Sequence, residues 1–174
     1  MKILIVGCGG RENILTQKLK SQTNRLYCIG PWINPDIYNM VNGYKVSELD
    51  KNLVLQYCHE IRPFMVVIGP ETILQTTFVD ECSVFGYRCI GPHKVLAQLE
   101  TSKVFTRRFL KQNFLQMYNP EFKYFEKNTD VNSIPYEKFV IKLDGLASGK
   151  GVFVQDDHFK SSQEGLILLN EKLS

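Results

Sequence analysis

The residues best suited to chemistry are the lysines and glycines of KLDGLASGKG, residues 142–151. A lysine-bearing apolar strand runs into a glycine-rich loop with a second lysine and then into another strand. Backbone N–H groups and Lys150 can therefore fold over an anion lying against Lys142, and phosphate suits that arrangement. This is not a Walker loop, which needs G-x-x-x-x-G-K-[S/T] opening a helix. Only Leu146, Ala147 and Ser148 separate Gly145 from Gly149, and Gly151 follows Lys150. The apolar runs 139–143 and 152–154 predict two strands, which makes the loop a hairpin lid. Within an apolar strand an unpaired ammonium is costly, so Lys142 is expected to meet a bound anion or a carboxylate. The rival account pairs Asp144 with either lysine and leaves Lys150 as an ordinary exposed hairpin residue.

A second anion-competent turn is GCGGREN, residues 7–13. It follows a first strand and opens a helix, so Gly9 and Gly10 permit close approach and the helix N-terminus favours negative charge on a ligand. Glu12 stands where the third glycine of G-x-G-x-x-G belongs, and no acid closes the second strand to hold a ribose hydroxyl; both count against an NAD enzyme. A tight turn without a ligand is the alternative. Gly69-Pro70-Glu71 places a carboxylate just beyond another strand, where Glu71 could accept from ribose hydroxyls or an amine, or cap the following helix at Thr72. Lys103, one residue into its helix, is by itself a solvated charge. His59, His93 and His158 are scattered, and the five cysteines show no Cys/His ligand spacing. A metal cluster built on them is therefore not expected, and the cysteines read as reduced, mostly buried thiols of a cytoplasmic protein.

These groups need a scaffold. Short apolar runs at 2–6, 26–29, 64–68 and 88–90 predict strands. Between them, a helix over 11–21 carries Ile14, Leu15 and Leu19, and one capped by Asp50 buries Leu53, Val54, Tyr57, Cys58 and Ile61. Runs buried on both faces and separated by helices predict a parallel sheet, whose ligands sit at the carboxyl ends of the strands. A helix over 102–112 follows, capped by Thr101 or Ser102, with Val104, Phe105, Phe109 and Leu110 as its buried stripe. After a polar connection over 113–119 come a strand at 122–125, a turn-rich stretch over 128–135, the lid strands and a last helix near 161–173. The fold class is thus α/β: a Rossmann-like parallel-sheet domain over 1–92, linking helices over 93–118, and a small α+β lid subdomain over 119–174. With 174 residues, 44% hydrophobic, 22% charged and a net charge of +3 spread evenly, the composition argues against nucleic-acid binding. No apolar run approaches the ~20 residues that span a bilayer.

Taken in order, GCGGREN, GPET, IGPHKVLAQLETSKVFTRRFL (residues 90–110) and FVIKLDGLASGKGV (139–152) resemble the N-terminal portion of phosphoribosylamine-glycine ligase, an ATP-grasp family. The resemblance covers the whole chain. It implies ATP-dependent joining of glycine to phosphoribosylamine in purine biosynthesis, through an acyl phosphate. It further implies that Lys103, Lys142, Gly145, Ser148, Gly149, Lys150 and Gly151 meet the nucleotide phosphates, and that Gly9, Gly10, Arg11, Glu12 and Glu71 meet a ribose phosphate. Departures occur at Asn13, Ile73, Thr77, Thr101 and Ser148, and Pro31-Trp32-Ile33-Asn34 replaces the family's Pro-Gly-Asn turn. The chain ends before the family's adenine-contacting strand and Mg²⁺ ligands, which implies a truncated lid, a weak or partial ATP site and no ligation by this chain alone. A complementing C-terminal half, a homo-oligomer, or a non-catalytic binder of nucleotide or ribose phosphate are the expected settings.

Overall fold

Strand β1, Ile3–Val6, is buried along its entire length. Its side chains alternate, Leu4 and Val6 joining one hydrophobic cluster while Ile3 joins another on the opposite face. A strand apolar on both faces must be covered on both, and that requirement generates the layered architecture around it. Each such buried aliphatic side chain contributes about 1.5–3 kcal/mol relative to exposure. The protein is described by a computed structural model, which covers residues 1–22, 25–147 and 149–174. It divides into two compact units, Met1–Gln98 and Leu99–Ser174.

In the first unit, helix α1 (Gly10–Lys20) leads to β2 (Leu26–Gly30), α2 (Pro35–Met40) and β3 (Gly43–Val46). Then come α3 (Lys51–Ile61), β4 (Met65–Ile68), α4 (Glu71–Leu74), α5 (Phe78–Val84) and β5 (Arg88–Ile90). All strand pairs are parallel, in the order β3-β2-β1-β4-β5. Val54, Tyr57 and Cys58 of α3 and Phe78, Val79 and Cys82 of α5 pack on the Leu4/Val6 face, whereas Leu15 and Leu19 of α1 cover the Ile3 face. Asp50 caps α3 as expected, its carboxylate accepting from the N–H groups of Asn52 and Leu53. Two expected core residues face solvent, Ile14 at 63% and Leu53 at 41% exposure, because each lies one position off its helix's buried stripe.

Helix α6 (Lys94–Thr101) crosses the boundary between the units. The second unit continues with α7 (Lys103–Gln112), a 3₁₀ turn at Gln116–Tyr118, the antiparallel pair β6 (Val140–Lys142) and β7 (Val152–Val154), and α8 (Ser162–Leu173). Its core gathers Val131, Ile141, Phe159 and Leu169, with Phe139 and Phe159 in ring contact at 5.1 Å. The strand expected at 122–125 does not form. A strand needs a ladder partner, and here Tyr124 instead lies under the Arg108 guanidinium while Phe125 packs on the small core. Nor is the α7 stripe buried: Val104, Phe105 and Leu110 are half-covered and Phe109 is exposed, the two phenyl rings packing on each other.

Candidate functional site

The strand order reverses between β1 and β4, and the loops that leave those two strands carry both predicted substrate-side motifs. Their joint is Glu12. It is 6% exposed, and its Oε2 accepts from the Gly9 N–H at 2.6 Å, which closes the first turn of α1. The carboxylate occupies space that only glycines leave open. A Cβ on Gly69 would fall 1.8 Å from Glu12 Oε1, and one on Gly7 or Gly9 would lie 3.0 Å from the same group. The missing third glycine of the motif is thereby explained, since a buried internal carboxyl group sits where a third glycine would have left room. Arg11 Nη1 donates to the Gly69 carbonyl at 2.7 Å and lies 3.9 Å from the Glu71 carboxylate. Gly9, Gly10, Arg11, Glu12 and Glu71 are thus brought together. Gly10 and Arg11 are exposed, and Glu12 faces the backbone of its own turn.

Beside this turn lies the loop between β2 and α2. Asn34 Nδ2 donates to the Cys8 carbonyl at 3.0 Å, and its oxygen caps α2 by accepting from Asp36 and Ile37 N–H. Gly30 admits Cys8, whose Cβ and Sγ would each lie 2.7 Å from a Cβ placed there. The Cys28 thiol donates to the Gly7 carbonyl, and burial pushes its pKa up to about 12, which keeps it a donor. Neither Asn34 nor Tyr44, which also holds this loop, was singled out as functional from sequence. The Asn-Pro pair at 34–35 was the available signal, a cap residue followed by a proline suited to the first helical position.

The lid hairpin forms in the second unit, where β6 and β7 pair with Lys142 opposite Val152. Leu143 N–H reaches the Gly151 carbonyl at 2.8 Å, and Lys150 N–H reaches Ala147 O at 2.8 Å, closing the loop. Gly151 is buried at the base, while Gly149 and Lys150 are exposed; Ser148 lies outside the described residues. Two expectations are corrected. Lys142 is not buried: Ile141 takes the inward position of β6, and the two-residue period of a strand turns Lys142 outward. Among the described residues its ammonium has no hydrogen-bond or ion-pair partner. Asp144 pairs with neither lysine ammonium. Its carboxylate accepts from Ser102 Oγ at 2.9 Å, Lys103 N–H at 2.6 Å and Val104 N–H at 3.2 Å, capping α7 together with Ser102. Lys103 Nζ meanwhile donates to the Gly145 carbonyl at 2.8 Å. Residues far apart in sequence thus place both phosphate-side lysines and the lid glycines in one neighbourhood.

Burial opposes ionisation of Asp144, yet the hydrogen bonds from Ser102, Val104, Gly145 and Lys103 outweigh it and hold the carboxyl below its ordinary value. A depressed carboxyl adds stability above its unfolded pKa and loses it as pH falls through the folded value. Replacing Asp144 by Ala should therefore cost about 1 kcal/mol near neutral pH. The gap between variant and parent should close below the ordinary value of 3.8 in urea titrations run across pH. A gap that persists unchanged in acid would assign the loss to packing.

A family model described as "Phosphoribosylglycinamide synthetase, N domain" matches residues 1–100. The chain belongs to this family. It is 31% identical to the phosphoribosylamine–glycine ligase of Methanocella arvoryzae, an alignment covering 94% of this chain and 39% of the relative. With the ligase of Clostridium acetobutylicum the identity is 34%, over 91% of this chain and 38% of the relative. The chain therefore spans about two-fifths of the length of these curated relatives. The fold matches the crystal structure of phosphoribosylamine–glycine ligase from Thermotoga maritima with a TM-score of 0.64 and 24% identity, over 98% of this chain and 39% of that one.

Two groups implied for the family differ in fit. Nucleotide phosphates suit the exposed Lys142 and Lys150 and the glycine hairpin. Mg²⁺ does not suit the donors, because among the described residues no group of three His, Cys, Asp or Glu side chains is placed to hold a metal. Asp156 is paired with Lys138 at 3.2 Å, and Glu164 accepts from the Lys160 N–H.

Proposed function

We propose that this chain supplies the substrate-binding domain and the phosphate-gripping part of the lid of a phosphoribosylamine-glycine ligase, and that it does not ligate by itself. The observation that carries the reading is the tie between α7 and the lid loop, in which Asp144 caps the helix and Lys103 holds the Gly145 carbonyl. That tie leaves Lys142 as the cation best placed for a triphosphate, with Lys150 and the loop N–H groups above it. Lys103 would join by exchanging its carbonyl partner for a phosphate oxygen. On the substrate side, Arg11 and the exposed Gly10 at the start of α1 suit a sugar phosphate, with Glu71 near enough to accept from a hydroxyl or an amine. Glu12 acts here as a positioning residue. The remaining ligase apparatus would come from further polypeptide, in one chain or as a complementing half, or the chain would act with a second copy. No described helix is long and apolar enough to cross a membrane, and all five cysteines are unbridged, which suits the cytoplasm.

ATP should raise the thermal midpoint by a few degrees at concentrations well above its Kd, corresponding to about 1–3 kcal/mol. Replacing Lys142 with Ala should abolish that rise and leave the midpoint without ATP unchanged. Equal stabilisation of parent and variant by ATP would place the ligand elsewhere and overturn the lid assignment.

A further inference from the structure

Trp32 is the single tryptophan of the chain and is 59% exposed, with Ile33 at 54% beside it. Its backbone is nevertheless fixed. The Tyr44 hydroxyl donates to the Trp32 carbonyl at 2.7 Å and accepts from the Asn34 N–H at 3.2 Å. Asn34 in turn donates to the Cys8 carbonyl and caps α2, so the loop is tied both to the glycine turn and to the next helix. Burial raises the Tyr44 pKa and keeps the hydroxyl a donor at any ordinary pH. Single exposed apolar residues are common on protein surfaces. This one differs in standing on a pinned loop at the carboxyl edge of the sheet, beside the turn that leaves β1, where ligands of such sheets bind. Among the described residues the ring makes no aromatic or cation contact. An exposed indole carried on a pinned backbone is suited to stack on a planar ring, because the loop itself has little freedom left to lose on binding.

We propose that Trp32 is a specificity-determining residue, a stacking platform that favours a ribose phosphate bearing a planar heterocycle over bare ribose phosphate at this edge. The proposal rests on the substrate-side reading above. Stacking of one base on an aromatic side chain corresponds to roughly tenfold or more in affinity.

The test uses the tryptophan's own emission. The chain is titrated with adenosine 5′-monophosphate and with ribose 5-phosphate, with calorimetry in parallel. The monophosphate should quench Trp32 and bind about tenfold tighter than ribose 5-phosphate. Trp32→Ala should reduce it to the affinity of ribose 5-phosphate while leaving the latter's affinity unchanged. Tyr44→Phe, which removes both loop bonds, should weaken the quench, and Trp32→Phe should keep part of the preference. Equal affinities for the two ligands, or undiminished nucleotide binding in Trp32→Ala, overturn the platform and leave the substrate-side reading intact. Failure of both ligands to bind overturns both. Loss of the signal in Lys142→Ala would assign the nucleotide to the lid and likewise overturn the platform.

Discussion

Given glycine, phosphoribosylamine, ATP and Mg²⁺, this chain alone should form no detectable glycinamide ribonucleotide. Phosphoryl transfer needs the charge on the moving group neutralised, and a divalent ion bridging the phosphates ordinarily supplies much of that. Lys103, Lys142 and Lys150 provide cations, but among the described residues no three His, Cys, Asp or Glu side chains are grouped to hold a metal, and several acids of this unit already have partners. Asp144 caps α7, Asp156 pairs with Lys138, Glu164 accepts from the Lys160 N–H and Glu171 pairs with Lys172. Adding a polypeptide that carries the remaining three-fifths or so of a relative should create activity, and Lys142→Ala should remove it again. ADP formation by the chain alone that requires both glycine and phosphoribosylamine would show a metal site built from residues the present arrangement does not bring together.

Replacing Gly7 by Ala should lower the thermal midpoint by ten degrees or more, on the order of 3 kcal/mol for a unit of this size. Gly7 has φ of +107°, a region that L side chains rarely adopt. Its Cβ would also meet Pro70 Cδ at 2.7 Å and the Glu12 side chain at 3.0 Å. Backbone strain and overpacking therefore add at one position. Relief cannot come from Glu12 moving aside, because Gly69 and Gly9 crowd it from other directions and its bond to Gly9 N–H holds the start of α1. A double variant with Glu12→Ala should recover only part of the loss, since the φ strain remains. Circular-dichroism melts decide the matter, and a midpoint within two degrees of the parent would refute the account of Glu12 as the wedge of this turn.

The central strands were legible from sequence because β1 and β4 are fully apolar runs bounded by Gly or Pro, and burial on both faces forces a parallel sheet. The edge strand β3 escaped notice. Gly43–Val46 is half-exposed and shows no alternation, so its pairing with β2 is a tertiary fact rather than a local preference. At 122–125 the reverse happened: aromatic residues suggested a strand, but no neighbouring strand offers a ladder. In the lid, the hairpin and its glycines followed from the sequence pattern, while the phase of Lys142 did not. Which face of a three-residue strand turns inward depends on the core it meets. The partnership of Asp144 with the Lys103 helix joins positions 41 residues apart, and no local motif announces it. Trp32 fell in a turn noticed for its unusual residues, yet only Tyr44, twelve residues on, reveals that the turn is held rigid.

Asp144 belongs to the lid loop by chain position and to α7 by hydrogen bonding. The first turn of that helix therefore cannot fray while the loop stays docked. Opening the loop exposes the N–H groups of Lys103 and Val104 to solvent, and closing it protects them. Deuterium uptake at those two amides should consequently report the state of the phosphate grip directly. A ligand that draws Lys103 away from Gly145 without releasing Asp144 should leave that uptake slow, whereas one that lifts the loop as a whole should speed it. The same carboxylate thus distinguishes a cation swinging on a fixed lid from a lid that moves.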